Sequence, residues 1–150
     1  MRSCLLMAAP LFLLPLILLT LFKLVRENCN MAYRQERGSR GEREAERFLT
    51  DMGLKILERN WRYRHKEVDL IMEGRDSIHF VEVRSLSSPS LLKPYETIGP
   101  AKQRNLIYAA SAYVSIKGIR KEVSLDIVSV LFENNNTIIE YFQNAFSPKW

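Results

Sequence analysis

In the stretch 67-EVDLIMEGRDSIHFVEVRS-85, four charged side chains, Glu67, Asp69, Glu82 and Arg84, interrupt two runs that otherwise carry the residues of buried strands. Both runs alternate. Val68, Leu70 and Met72 fall on one side of a pleat and Glu67, Asp69 and Ile71 on the other, while Val81 and Val83 oppose Phe80, Glu82 and Arg84. Glu73-Gly74-Arg75-Asp76-Ser77 between them has a turn composition, so the two runs read as an antiparallel hairpin. A loop over Gly74 to Ser77 brings Met72 beside His79. The same register sets Asp69 across from Glu82 and Glu67 across from Arg84.

Two like charges facing each other on adjacent strands, with roughly 5 Å between β-carbons, destabilise a sheet by up to about 1 kcal/mol unless something neutralises them. A divalent cation does so, and hard oxygen ligands suit magnesium, commonly held by one or two carboxylates with water or phosphate completing its shell. The alternative is an amphipathic hairpin with all four charges in water and Glu67 paired with Arg84. Spacing alone leaves both readings open, because a slip of one residue in the loop changes which residues face each other.

The elements that must position these residues are legible on either side. Gly38 to Met52 carries Ala45, Phe48, Leu49 and Met52 at helical spacing, with Gly53 as a stop. Glu42 lies on the flank of that apolar stripe, where a carboxylate either complements the helix dipole or reaches over the sheet toward the acid pair. Leu54 to Tyr63 reads as a first strand, and Arg64-His65-Lys66 as the turn into the hairpin. Ser85 to Pro100, rich in proline and serine, is an irregular connection of the kind that is often functional. Pro100 fits the first turn of a second helix, Ala101 to Val114, with Lys102 and Arg104 near its start. Ser124 to Phe132 is a fourth strand, Asn134-Asn135-Asn136 a turn, and Ile138 to Phe142 a fifth. This order predicts an α/β fold in which helices flank a mixed sheet. It carries no phosphate-binding glycine loop, no nucleophile elbow and no HExxH. His65 and His79 are isolated and read as ordinary surface or core residues, and no constellation supports serine or cysteine nucleophile chemistry.

The 150 residues divide into an apolar N-terminal segment, 1–30, and a domain, 31–150, long enough to bury a real core. From Cys4 to Phe22 there is no charge, enough to cross a bilayer at roughly 20 residues per span. Lys23, Arg26, Arg34, Arg37 and Arg40 follow, so the run reads as an apolar N-terminal helix preceding the domain, one that would anchor residues 4–25 in an inner membrane with the domain in the cytoplasm. Met31 equally opens a segment that reads as the start of a soluble cytoplasmic protein, leaving the first thirty residues as upstream sequence. Both cysteines, Cys4 and Cys29, lie in the N-terminal segment, so the domain has no disulfide and no thiolate metal site, as a reducing compartment requires. The formal charge of +5 is interleaved with acids rather than blocked, which is mild support for a polyanionic partner.

Taken together, G-x-x-G-E-x-x-A-x-x-F-L at Gly38, Gly41, Glu42, Ala45, Phe48 and Leu49, R-N-W-R at Arg59 to Arg62, E-V-D-L-I at Glu67 to Ile71, F-V-E-V at Phe80 to Val83 and N-A-F at Asn144 to Phe146 resemble the uncharacterised YraN family over about residues 33 to 146. The resemblance implies a restriction-endonuclease-like fold with a PD-(D/E)xK-type site. It makes Asp69 the first metal ligand and Glu82 the second, with Glu42 matching a helix glutamate that completes the site in junction resolvases of that fold. Arg84 stands where the family pattern has lysine; it keeps the charge but cannot deprotonate, and its planar fork reaches differently. Lys102 matches a basic position of the family and is a candidate substitute.

The implied activity is magnesium- or manganese-dependent hydrolysis of DNA or RNA, with Asp69, Glu82, Glu42, Arg84 and Lys102 as the working residues. The alternative is a catalytically inactive nucleic-acid-binding module on the same face, membrane-tethered if the first thirty residues are retained. Nucleases of this fold that cut both strands often pair, so a homodimer is a further expectation.

Overall fold

The computed structural model describes residues 14–86, 98–133 and 136–147. Its elements in chain order are α1 (Leu14–Asp51), β1 (Lys55–Tyr63), β2 (Lys66–Glu73), β3 (Ser77–Leu86), α2 (Pro100–Lys117), β4 (Glu122–Glu133) and β5 (Asn136–Phe142). The chain divides into two units at Glu36/Arg37, and the sheet, α2 and the part of α1 from Arg37 onward belong to the second.

The five strands lie side by side in chain order. Neighbours are antiparallel except β3 and β4, which run parallel and are joined through α2. That one crossover makes the sheet mixed and leaves α2 to cover one face. On this face Leu106, Ala109, Ala110 and Tyr113 pack on Val68, Ile71, Ile78, Phe80 and Leu125. On the opposite face Ala45 and Leu49 of α1 pack on Leu70, Met72, Val81, Val128 and Val130. Each large apolar side chain sequestered here contributes about 1.5–3 kcal/mol, so both helices are held by their buried stripes rather than by intrinsic propensity.

Pro100 begins α2 where a missing N–H costs nothing, and Gly118 ends it in the left-handed conformation, at φ 63°. The turn between β2 and β3 has the expected register: Met72 pairs with His79, and Gly74 N–H donates to the Ser77 carbonyl.

Three expectations need correction. The helix inferred from Gly38 begins upstream, at Leu14, and its stretch from Arg26 to Glu36 is exposed throughout, so that stretch carries no buried stripe by which periodicity could detect it. Val68 does not share a face with Leu70 and Met72: it packs with Ile71 under α2, while they pack under α1. The cause is a change of facing along the β1–β2 ribbon. Arg59, opposite Leu70, reaches Glu46 on α1, whereas Trp61, opposite Val68, packs on Tyr113 of α2. Between them Asn60 has φ 48°, a left-handed value asparagine tolerates better than most residues. Finally, Glu67 accepts a hydrogen bond from Arg62 on β1, at 3.1 Å, in place of the cross-strand pairing expected with Arg84.

The apolar run from Cys4 lies largely outside the described residues, as does most of the connection from Ser85 to Pro100 and two of the three turn asparagines. Among the described residues no helix is long and apolar enough to cross a membrane.

Candidate active site

The ladder between β2 and β3 stops at Leu70–Val81, and Asp69 and Glu82 occupy the next position. Here the side chain replaces the ladder: Val83 N–H donates to Asp69 Oδ2 at 2.7 Å. One carboxylate thus caps a backbone donor that the diverging strands would leave without a partner. Glu82, on the α2 side of β3, is 2 % exposed. Lys102, in the first turn of α2, places Nζ 2.9 Å from Glu82 Oε2, and Arg84 Nη1 lies 3.9 Å from Oε1. The Lys102 approach is a salt bridge off hydrogen-bonding alignment, so Oε2 accepts no well-angled hydrogen bond among the described residues.

The electrostatics follow from this crowding. Burial, then the charge of Glu82, pushes the Asp69 carboxyl up to about 7; the Val83 N–H and Lys102 act against the rise, and Glu42 adds slightly to it. Burial also raises Glu82, against the opposing pull of Lys102 and Arg84. Two acids that influence each other titrate as a unit, and this unit holds a proton into the neutral range where ordinary carboxylates have lost theirs.

Glu42 faces the same end of the sheet from α1 but is engaged elsewhere: Asn60 Nδ2 donates to its Oε2 at 3.3 Å. Among the described residues no three His, Cys, Asp or Glu side chains gather closely enough to hold a metal ion. The structure thus brings Asp69, Glu82, Arg84 and Lys102 together and leaves Glu42 on the periphery. Asn60 is a member of this neighbourhood that the sequence did not single out; its place in R-N-W-R was the only available sign.

A second polar cluster lies toward the other end of β3. His79 Nδ1 lies 2.7 Å from Asp126 Oδ2, and Ser77 Oγ lies 2.8 Å from His79 Nε2. Asp126 also accepts from Ser124 Oγ, from Tyr141 Oη at 2.7 Å and from the Asn144 N–H at 2.9 Å. Burial alone would raise its pKa, but these donors outweigh burial and hold it below the usual carboxylate range. Serine, histidine and aspartate stand here in the order of a nucleophile relay. The turn backbone packs directly on this cluster: a methyl group on Gly74 would lie 3.1 Å from His79 Nε2 and 3.2 Å from Ser77 Oγ. The cluster is a structural clamp. It also accounts for the terminal N-A-F: Asn144, at φ 49°, turns the chain so that its own N–H reaches Asp126 and the Ala145 N–H reaches the Leu125 carbonyl.

A mixed five-stranded α/β domain with a buried acid pair and two cations at the opening of its sheet is thereby defined. The profile of uncharacterised protein family UPF0102 matches residues 41–130. The chain belongs to that family, which is the YraN family. A UPF0102 protein of Syntrophomonas wolfei is 41 % identical over 113 residues, covering 75 % of this chain and 98 % of its own. One of Anaeromyxobacter dehalogenans is 38 % identical over 114 residues, covering 75 % and 85 %. One of Parabacteroides distasonis is 34 % identical over 116 residues, covering 77 % and 96 %.

Proposed function

We propose that the domain is a magnesium- or manganese-dependent phosphodiesterase of the restriction-endonuclease-like class, acting on DNA or RNA in the cytoplasm. The observation that carries this reading is the acid pair itself. A fold has no structural need to seat two carboxylates where burial raises the pKa of both and the charge of Glu82 raises Asp69 further, and such perturbed pairs concentrate at functional sites. Their donors are hard oxygens, the chemistry a magnesium ion takes, and a divalent cation would offset the burial and the repulsion that together hold the Asp69 carboxyl at about 7. When bound, the metal supplies polarisation of the phosphate and a water of lowered pKa.

The remaining work belongs to the chain. Asp69, fixed by the Val83 N–H, presents its other oxygen to the site. Arg84 offers a planar fork for non-bridging phosphate oxygens as negative charge develops on them. Lys102 neutralises Glu82 in the resting site, and moving its ammonium to the phosphate would leave Glu82 available as a ligand. Glu42 takes part by releasing Asn60. Incubation with branched, duplex and single-stranded nucleic acid in Mg²⁺ or Mn²⁺ tests the reading: cleavage is expected, lost in Asp69→Ala and increased in Arg84→Lys.

One observation favours a second reading. Lys102 already satisfies part of the acid charge, and Glu42 stands outside the pair, an arrangement that also suits a binding module without turnover. Salt-sensitive binding without cleavage in either metal, in both the natural and the Arg84→Lys protein, selects it.

A further inference from the structure

Where β1 ends and β2 begins, the side chains are neither core nor ordinary surface. Trp61 stands edge-on against buried Tyr113, with ring centroids 5.0 Å apart. Tyr63 stacks on Trp61 at 6.0 Å with an interplanar angle of 3°, and Tyr108 of α2 leans on Tyr63 at 5.8 Å. The row thus climbs from the core to the surface, where Tyr108 is 44 % exposed. Arg64 Cζ lies 5.7 Å from the Tyr63 ring centroid. Arg104, one helical turn before Tyr108, is exposed, and Lys66 pairs with Tyr63 across the hairpin. Neither Arg64 nor Arg104 forms an ion pair among the described residues.

A stacked aromatic row that opens onto solvent beside arginines that form no ion pair among the described residues has the chemistry of a platform for bases, whose π faces stack on tyrosine and whose phosphates meet arginine and lysine. A duplex hides those faces inside its own stack; an unpaired strand presents them. Lys66 is three residues from Asp69 along β2, about 10 Å at strand rise, and Lys102, which reaches Glu82, belongs to the same helix as Tyr108. Trp61, braced by Tyr113, gives the row a rigid foot, and exposing such an aromatic edge brings no packing in return.

We infer that Tyr63 and Tyr108, with Arg64, Lys66 and Arg104, hold an unpaired stretch of nucleic acid beside the acid pair, so that the substrate class is a single strand or a frayed end rather than an intact duplex. This deepens the nuclease reading, but binding to the row requires no metal and no cleavage.

The test is anisotropy of labelled oligodeoxyuridylate, oligouridylate and a blunt duplex with the full chain in EDTA. Single strands bind more tightly than the duplex. Tyr108→Ala weakens single-strand binding about tenfold while leaving duplex binding unchanged, Tyr108→Phe restores it, and Asp69→Asn retains it. The two oligonucleotides separate DNA from RNA, since only a contact to the 2′-hydroxyl tells them apart. If Tyr108→Ala, folded by circular dichroism, binds single strands as the natural protein does, or loses duplex binding equally, the inference is overturned. Tyr108-dependent single-strand binding by a protein that cleaves nothing would instead uphold the platform and remove the nuclease.

Discussion

Two buried acid sites share one sheet and are built in opposite ways. Asp126 is fully enclosed and accepts from His79, Ser124, Tyr141 and the Asn144 backbone, and those donors keep it ionised. Asp69 has one backbone donor, a like-charged neighbour and a pKa raised to about 7. Burial acts on both carboxylates, so burial is not what separates them; the number of donors aimed at each oxygen is. A saturated carboxylate has no valence left for a ligand and serves the fold, whereas the under-satisfied pair stores a demand that a cation or a phosphate-bound cluster can meet.

The strongest way to break this contrast is Asp126→Ala. Removing the acceptor strands several buried donors and should cost about 3–5 kcal/mol in urea unfolding at pH 7. Because the folded pKa of Asp126 is lowered, its contribution is present above about pH 4 and lost as pH falls through the folded value. If Asp69→Ala proves the more damaging of the two, the roles assigned to the sites are exchanged.

A smaller effect of opposite sign is expected at Asp69. Its folded pKa lies above the unfolded one, so the stability linked to its proton is full below about pH 4 and drains away as pH rises through 7. Asp69→Asn retains an acceptor for the Val83 N–H without the charge. It should therefore match the natural protein at low pH and exceed it at pH 8 by about 2 kcal/mol, roughly half of what the full shift would give, since Glu82 shares the titration. Equal unfolding midpoints at pH 8 would remove the electrostatic basis of the contrast.

The smallest expected effect sharpens rather than breaks it. At pH 8, 10 mM magnesium should stabilise the natural protein by about 1.4 kcal/mol for a dissociation constant near 1 mM, and should leave Asp69→Asn unmoved. A gain of the same size in both proteins would place the metal elsewhere.

Much of this was legible in the sequence, for local reasons. The strands of the hairpin declare themselves by alternation, the turn by Gly74 and its polar neighbours, and α2 by Pro100 at its head. The opposition of Asp69 and Glu82 followed from counting across one short loop. What escaped the sequence depends on distant partners or on a single dihedral. The left-handed Asn60 reverses the facing of β1, and with it the side on which Val68 is buried, yet one asparagine inside a strand pattern does not announce its own dihedral. The donors of Asp126 come from β3, β4, β5 and the segment after it, so no window of sequence contains them. Arg26 to Glu36 of α1 left no mark because a helical stretch exposed throughout has no apolar period to display.

Gly41 lies on the face of α1 that meets the end of β3, and a methyl group built on it would collide with the Ser85 hydroxyl. Its chain neighbour is Glu42, and that of Ser85 is Arg84, so this closest approach stands at the mouth of the acid pair. The gap between helix and strand is gauged there by bare backbone against one serine hydroxyl. A side chain added at position 41 would act as a wedge, so the narrowness of the mouth is set by what the helix lacks at that point rather than by what it carries.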